Sequence, residues 1–417
     1  MSDEAFDVVI AGAGMAGATL ALALAKAGLK AAVADAQALE TQLAPTFDGR
    51  ASAIAYANFR QFRALGLGPA LEPVAQPIRA IQVTDAAAPG AARRPSLPAF
   101  VAFDSADIAD RSEGEPLGWM IENRQIRAAL NSALAEAGVV PVAPVQVTGV
   151  DTEPGRAVMR LADGRSLTAP LVVGAEGRAS AVREAAGIRT FGWRYPQHGV
   201  VATVQLERPH DGVAHQLFMG GSGLAILPLT DDRASLVWAE PPAAAAALVK
   251  GSTEAFEAHL ARRFGSFLGT PRLVGPRFVY PLSFMLAETL VAPRVALVGD
   301  AGHGIHPVAG QGLNLGLKDV AALVDVLVDA HSLGEDIGSA VVLERYARWR
   351  RFDIAAVAAA SDAFTRFFAM SGPATRAVRA AGFALMNRAP PLRRIAMLAA
   401  GADLGELPRL LKGEVPA

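Results

Sequence analysis

FDVVIAGAGMAGATLALALAKAGLKAAVADA, residues 6–36, decides the fold. Phe6 to Ala11 is a short apolar run of strand type, suited to burial on both faces of a parallel sheet. Gly12, Gly14 and Gly17 follow in G-x-G-x-x-G spacing. Met15 to Ala27 then has helical periodicity, with Gly28 in place to cap its C-terminus. A second strand, Ala31 to Ala34, ends on Asp35, 18 residues past Gly17. Each part has a physical task. Gly12 permits the tight turn, Gly14 lets backbone N–H groups approach a pyrophosphate, and Gly17 lets helix and strand pack closely. Met15 and Ala16 open the helix whose N-terminus would face that anion, and Asp35 can accept from a ribose hydroxyl. The reading is a dinucleotide site, with FAD and NAD not separated by this segment.

The 417 residues exceed one ordinary core and suffice for two or three packed units. Hydrophobic residues make up 52%, which fits a globular α/β chain and argues against disorder. A net charge of −1 gives no electrostatic case for a nucleic-acid partner. Cysteine is absent, which excludes disulfides, thiolate nucleophiles and Cys-ligated metal, and leans towards the cytosol. No apolar run is long enough for a membrane span, and the first residues carry acids where a signal peptide would be basic. A cytoplasmic location is expected.

Further along, Asp48 to Arg50 of DGRASAIAYANFRQFRALGL are read as preceding an amphipathic helix, with Arg50 placed for a phosphate or a flavin edge. IENRQIRAALNSALAEAGV (121–139) is a second strand-to-helix unit, with Asn123 and Arg124 at the junction. LVVGAEGRASAVREAAG (171–187) passes from a buried strand through Gly174, Glu176 and Gly177 into what reads as a basic helix with Arg178 and Arg183. From about 190 to 285 the pattern alternates (VVATVQL, HQLFM, GLAILPL, SLVWAE), the mark of an inserted antiparallel sheet. IRAIQVTD (78–85) is expected to add a strand to it.

RVALVGD (294–300) reads as one more buried strand, ending on Gly299 and Asp300. The stretch GHGIHPVAGQG follows, and from Leu313 and Asn314 a long helix runs. A metal site on Asp300, His303 and His306 would need a helix, which Gly302, Gly304 and Pro307 disfavour, so no metal is expected. GGSGL (220–224) misses the G-x-S-x-G elbow of a hydrolase. What remains is a flat, electron-rich ligand laid on backbone. Asp300 would hold a polyol hydroxyl, and Gly310, Gln311 and Gly312 would aim N–H groups at a developing anion. The N1–C2=O edge of a reduced isoalloxazine carries such a charge. Two glycine turns some 290 residues apart then grip two ends of one molecule, which favours FAD over NAD.

HPVAGQGLNLGLKD (306–319) resembles the signature of the ubiquinone-biosynthesis hydroxylases, aromatic-ring flavoprotein monooxygenases of the para-hydroxybenzoate hydroxylase fold. The likeness extends to D-G-R-A-S-A, E-N-R, VVGAEG, GLAILPL, the stretch 346–368 and PLRRIAMLAAG. The chain departs at Glu176, where the family usually has Asp, and at GDAGH in place of GDAAH.

The resemblance implies a Rossmann-like FAD-binding domain with an inserted antiparallel β-sheet substrate domain and C-terminal helices. The expected division is 1–75, 105–188 and 290–345 for FAD, 76–104 and 189–289 for substrate, and 346–417 for the helical region. It also implies hydroxylation of a polyprenylated phenol with FAD, NAD(P)H and O2, through a flavin C4a-hydroperoxide. No side chain need be a nucleophile; His306, Pro307, Gly310, Gln311 and Gly312 would form the reacting edge. Phe218, Leu227 and Phe284 are candidates for the wall around the substrate, with core packing the competing role for each. Arg376, Arg379, Arg388, Arg393, Arg394, Arg409 and Lys412 lie among apolar residues. They allow a peripheral contact at the inner face of the membrane, or simply a helix with solvated arginines. A quinone-biosynthesis complex and a homodimer are further expectations. The rival readings are a flavin reductase or dehydrogenase of prenyl groups, a hydroxylase of another phenol, and a non-catalytic FAD-binding scaffold.

Overall fold

The computed structural model describes residues 6–85, 101–108, 115–265, 267–307, 310–370, 372–401 and 405–416. Residues 86–100, part of the expected substrate domain, lie outside them.

Val8–Ala11 sits inside a five-stranded sheet, between Leu171–Gly174 and Ala31–Ala34 and parallel to both. Val295–Leu297 extends the sheet in parallel beyond Leu171–Gly174, and Val291–Ala292 ends it antiparallel. Val8–Ala11, Leu171–Gly174 and Ala31–Ala34 are buried at every position, as apolar runs require when both faces are covered. The helix Met15–Lys26 and the long helix Gln311–Ser332 cover one face and form the main core with it.

An eight-stranded sheet forms the second body of structure. Its order is His303–Gly304, Arg272–Ala287, Thr190–Gln205, Arg233–Glu240, Gly223–Leu229, Val213–Phe218, Ala80–Asp85 and Val101–Asp104. Residues 78–85 do supply a strand, but Ala80–Asp85 pairs parallel to Val213–Phe218, so the sheet is mixed and not purely antiparallel. The cause is connectivity: this strand arrives from the other body of structure and not through a hairpin. Leu236 and Trp238 on one face of the sheet pack in a buried cluster with Phe256 and Leu260 of the helix Thr253–Phe264 and with Ala245 and Leu248 of the helix Pro242–Lys250.

Two local expectations need correcting. Asp48 to Arg50 do not lead into a helix; they precede the strand Ala51–Ala55, and the helix Tyr56–Ala64 begins only after it. That strand pairs with Gly118–Glu122, and long-range pairing outweighs the weak local preference of an Ala-rich run. Arg178 lies outside its expected helix. Gly177 takes a left-handed φ of 83°, and Ser180 starts the helix Ala181–Ala185 by accepting from Arg183 N.

Candidate active site

The first glycine turn is built by steric necessity. Gly12 has φ 97°, and a Cβ there would come within 2.7 Å of Ala175 O. A Cβ at Gly17 would lie 1.9 Å from Gly12 O, so helix and turn close on each other only without it. Gly14 differs: a Cβ there would meet nothing within 4 Å among the described residues. Protein packing does not demand that glycine, whereas a ligand lying against the backbone would. Asp35 braces the turn, accepting from Ala13 N at 2.6 Å and from Gln37 N at 2.7 Å.

The second turn meets the first. Ala16 lies 3.5 Å from the position a Cβ on Gly299 would occupy, and a Cβ on Gly316 would lie 3.0 Å from Gly299 Cα. The Gly299–Ala301 turn is thus wedged between the starts of the two long helices. Both helices begin without a side-chain cap and without an acid in the first turn. Their N–H groups therefore lack protein partners of the usual kind. In front of the second helix, a Cβ on Gly312 would also meet nothing within 4 Å, and Gly310 takes φ 63° to turn the chain. Two open, electropositive helix starts placed together fit an anionic dinucleotide joined to a ring system.

Charged side chains are organised around these turns. Asp48 is buried and accepts from Arg50 Nε at 2.8 Å, Asn123 Nδ2 at 3.0 Å and Arg127 Nη1 at 3.0 Å. Burial alone would raise its pKa, but Arg50 and Asn123 prevail and hold the carboxyl well below its usual range. Arg50 itself lies half-exposed over the Tyr280 ring at 5.0 Å, and the charge of Asp300 reaches it. Asn123 also accepts from Ser52 Oγ at 2.6 Å, whereas Arg124 is exposed. The sequence pointed to Arg124, and Arg127, one turn further along, is the arginine turned inward. Asp300 pairs with Arg178 Nε at 3.2 Å.

Glu176 accepts from Val182 N at 2.8 Å and so caps the Ala181–Ala185 helix; burial raises its pKa. The Asn314 side chain bridges backbone, accepting from Ala55 N at 2.8 Å and donating to Ala53 O at 2.8 Å, with Asn58 Nδ2 also donating to it at 2.9 Å. It ties the long helix to the Ala51–Ala55 strand. Its backbone and that of the half-buried Leu313 remain at the helix start. Gln311 donates to Ala400 O at 3.3 Å.

Beneath the Gly299–Ala301 turn lies a network that sequence reasoning missed. Asp319, fully buried, accepts from Gly299 N at 3.0 Å, from Arg350 Nε at 2.7 Å and from His303 Nε2 at 2.5 Å. Arg350 continues to Asp353 at 2.6 Å, which also pairs with Lys318 at 2.7 Å. Burial alone would raise the Asp319 pKa, but His303 and Arg350 beside it prevail and lower it. An acid on the buried face of LNLGLKDVAALVDV was the available signal.

A cavity opens between the eight-stranded sheet and the C-terminal half of the helix Ala340–Ala369. Phe218, Gln216, Ala225, Leu282, Phe368 and, at one end, His306 with Pro307 line it. Its volume is about 50 Å³, so a phenyl ring enters only if the walls part. Phe218 lines the cavity and stacks on Phe368 at 3.9 Å, in a buried cluster with Val83. Leu227 packs instead with Ile78 and Met120, and Phe284 stacks on Trp193 at 4.4 Å; neither lines the cavity. His306 is buried with Tyr195 edge-on at 4.9 Å, and burial, with Arg178 nearby, lowers its pKa to about 4.

Two open helix starts set together, an acid-braced first turn and an adjoining apolar cavity are the marks of a flavin-dependent oxidoreductase. A family model described as an FAD binding domain matches residues 5–361. Ubiquinone hydroxylase UbiL of Rhodospirillum rubrum is 41% identical over 418 residues, covering 99% of this chain and 94% of that protein. The 3-demethoxyubiquinol 3-hydroxylase of Escherichia coli is 35% identical, covering 95% of this chain and 98% of its own. Among solved structures, p-nitrophenol 4-monooxygenase PnpA of Pseudomonas putida shares the fold, with a TM-score of 0.79 at 20% identity over 97% of this chain and 99% of that one. The chain belongs to the ubiquinone-biosynthesis hydroxylase family of FAD-dependent aromatic-ring monooxygenases.

Proposed function

We propose that the chain hydroxylates the ring of a polyprenylated phenol in ubiquinone biosynthesis, with NAD(P)H and O2 as co-substrates. The observation that carries this reading is the cavity ending on His306 and Pro307, immediately before the Gly310–Gly312 helix start. A ring held there lies beside the place where a flavin edge would rest. Bound FAD would supply the redox chemistry, taking electrons from the nicotinamide and activating O2.

The chain's own residues bind, orient and exclude water. The Gly12–Gly17 turn, with Met15 and Ala16, would hold the pyrophosphate; Asp35 sets that turn and stands near the ribose. Arg50, Asn123 and Arg124 would stand over the middle of the cofactor, and Asp300 would meet the ribityl chain. Glu176 supports the strand-to-helix unit nearest the nicotinamide approach. Backbone N–H groups of Gly310, Gln311, Gly312, Leu313 and Asn314 would meet the negative charge of the reduced ring. His306, kept neutral by burial, forms a dry wall at the cavity end and keeps water from the reacting edge. The sheets support a division into cofactor and substrate domains, with two segments crossing the expected bounds: Gln76–Ile78 pairs with Gly118–Glu122 on the cofactor side, and His303–Gly304 adds an edge strand to the eight-stranded sheet.

The purified chain, loaded with FAD and given NAD(P)H, O2 and a prenylated phenol, is expected to yield a product with one added oxygen. Nicotinamide oxidation with no oxygenated product overturns the reading. In cells lacking the protein, an under-hydroxylated prenylphenol should accumulate.

A peripheral membrane contact is the finer part of the proposal. Val378, Leu385, Leu392 and Ile395 are 46–59% exposed on the helices Pro373–Arg388 and Pro390–Ala400. Exposed Arg388 lies at the end of the first, whereas Arg379, Arg393 and Arg409 are bound to Asp85, Asp107 and Asp325. The side chain of Arg376 lies outside the described residues. The apolar stripe, more than the basic count, supports a lipid surface. The protein should float with anionic liposomes, and equal recovery after Leu385→Ser and Ile395→Ser substitution rules this out.

A further inference from the structure

Resting on the reading above, the cavity also says which residue chooses the ring's orientation. Gly223, Ala225, Val237 and Ala239 form its floor, on two strands paired Gly223 to Ala239 and Ala225 to Val237. These small side chains leave the depth that larger ones would fill. Gln216 stands beside Ala225 on the neighbouring strand, two residues before Phe218 and on the same face.

Three other polar side chains of the wall have protein partners. Gln197 Nε2 donates to Gly221 O at 2.7 Å, Ser222 Oγ to Glu240 at 2.7 Å, and Thr365 Oγ1 to Ser361 O at 2.8 Å. Gln216 makes no side-chain hydrogen bond to any described residue, yet it is half-buried and faces the cavity. An amide so placed can exchange water for a ligand hydroxyl without breaking a protein hydrogen bond.

We propose that Gln216 is the specificity residue: its amide takes the hydroxyl oxygen of the phenol and so fixes which ring carbon faces the His306–Pro307 end. Phe218 and Phe368, stacked beside it, hold the apolar remainder. The amide adjoins the floor, since a Cβ at Gly223 would sit in ordinary contact, 3.7 Å from Gln216 Nε2.

The test is equilibrium dialysis of the FAD-loaded protein with a farnesylated phenol and with the same molecule lacking its ring hydroxyl. Wild type should prefer the phenol about tenfold. Gln216→Met and Gln216→Ala should each lose the preference while taking up FAD as before. Equal binding of the two compounds by wild type, or a preference kept in both variants, overturns the inference. If the preference disappears as expected but neither compound is hydroxylated, the inference stands and only the assigned reaction falls.

Discussion

Gly14 and Gly17 look alike in the sequence and do opposite work in the structure. A side chain at Gly17 meets backbone at 1.9 Å, so Gly17→Ala should cost about 1–3 kcal/mol of stability, read as a lower melting temperature of the FAD-free chain. Gly14→Val meets no described protein atom. Its FAD-free melting temperature should stay near that of wild type while FAD affinity falls by at least about tenfold. Equal effects of both substitutions on the FAD-free chain would contradict this division. Asp48 is the matching case among charges. Asp48→Asn leaves Arg127 buried without its carboxylate, and the expected outcome is weaker FAD uptake together with a stability loss of roughly 3–5 kcal/mol.

Between elements, Arg350 does the longest-range work, joining the helix Ala340–Ala369 to the helix Gln311–Ser332 and through Asp319 to the Gly299 turn. Arg350→Met should destabilise the fold by roughly 3–5 kcal/mol, because Asp319 would be left opposite His303 alone. Adding Asp319→Asn to that variant should restore part of the loss, as a double-mutant cycle would read. Why this pair escaped the sequence is plain. The first nucleotide unit is local, with glycines, helix and acid within 31 residues, so spacing reveals it. The Gly299–Asp319 stretch is equally local. Asp319 and Arg350 are brought together by helix packing, and Gln216 becomes part of a cavity only through strand register. Ala51–Ala55 was likewise illegible, since its partner Gly118–Glu122 lies far along the chain and its own residues favour either state. The buried role of Arg127 depends on which face of its helix turns inward, and polar neighbours on both faces hid that.

For the whole molecule, pH is the simplest probe. His306 and His215 have pKa values lowered from 6.5 to about 4, in each case chiefly because burial disfavours the charged form. The unfolded chain therefore binds more protons than the folded one between those values, and stability must fall as pH drops from about 6.5 to about 4. Melting temperatures across that range should decline, and His306→Gln should flatten the slope. A profile level down to pH 4 would contradict the burial of these rings. One strand has a reach that matters beyond its own sheet. Arg272–Ala287 contributes Leu282 to the cavity, and a few residues on it pairs Met285 with Gly304 and Leu286 with His303. On the proposed function, the same strand would carry the guest at one point and flank the bed of the flavin's sugar-alcohol chain at another. If that strand couples the two places, thermodynamic reciprocity requires that a phenol which tightens FAD binding by some factor be itself tightened by that factor.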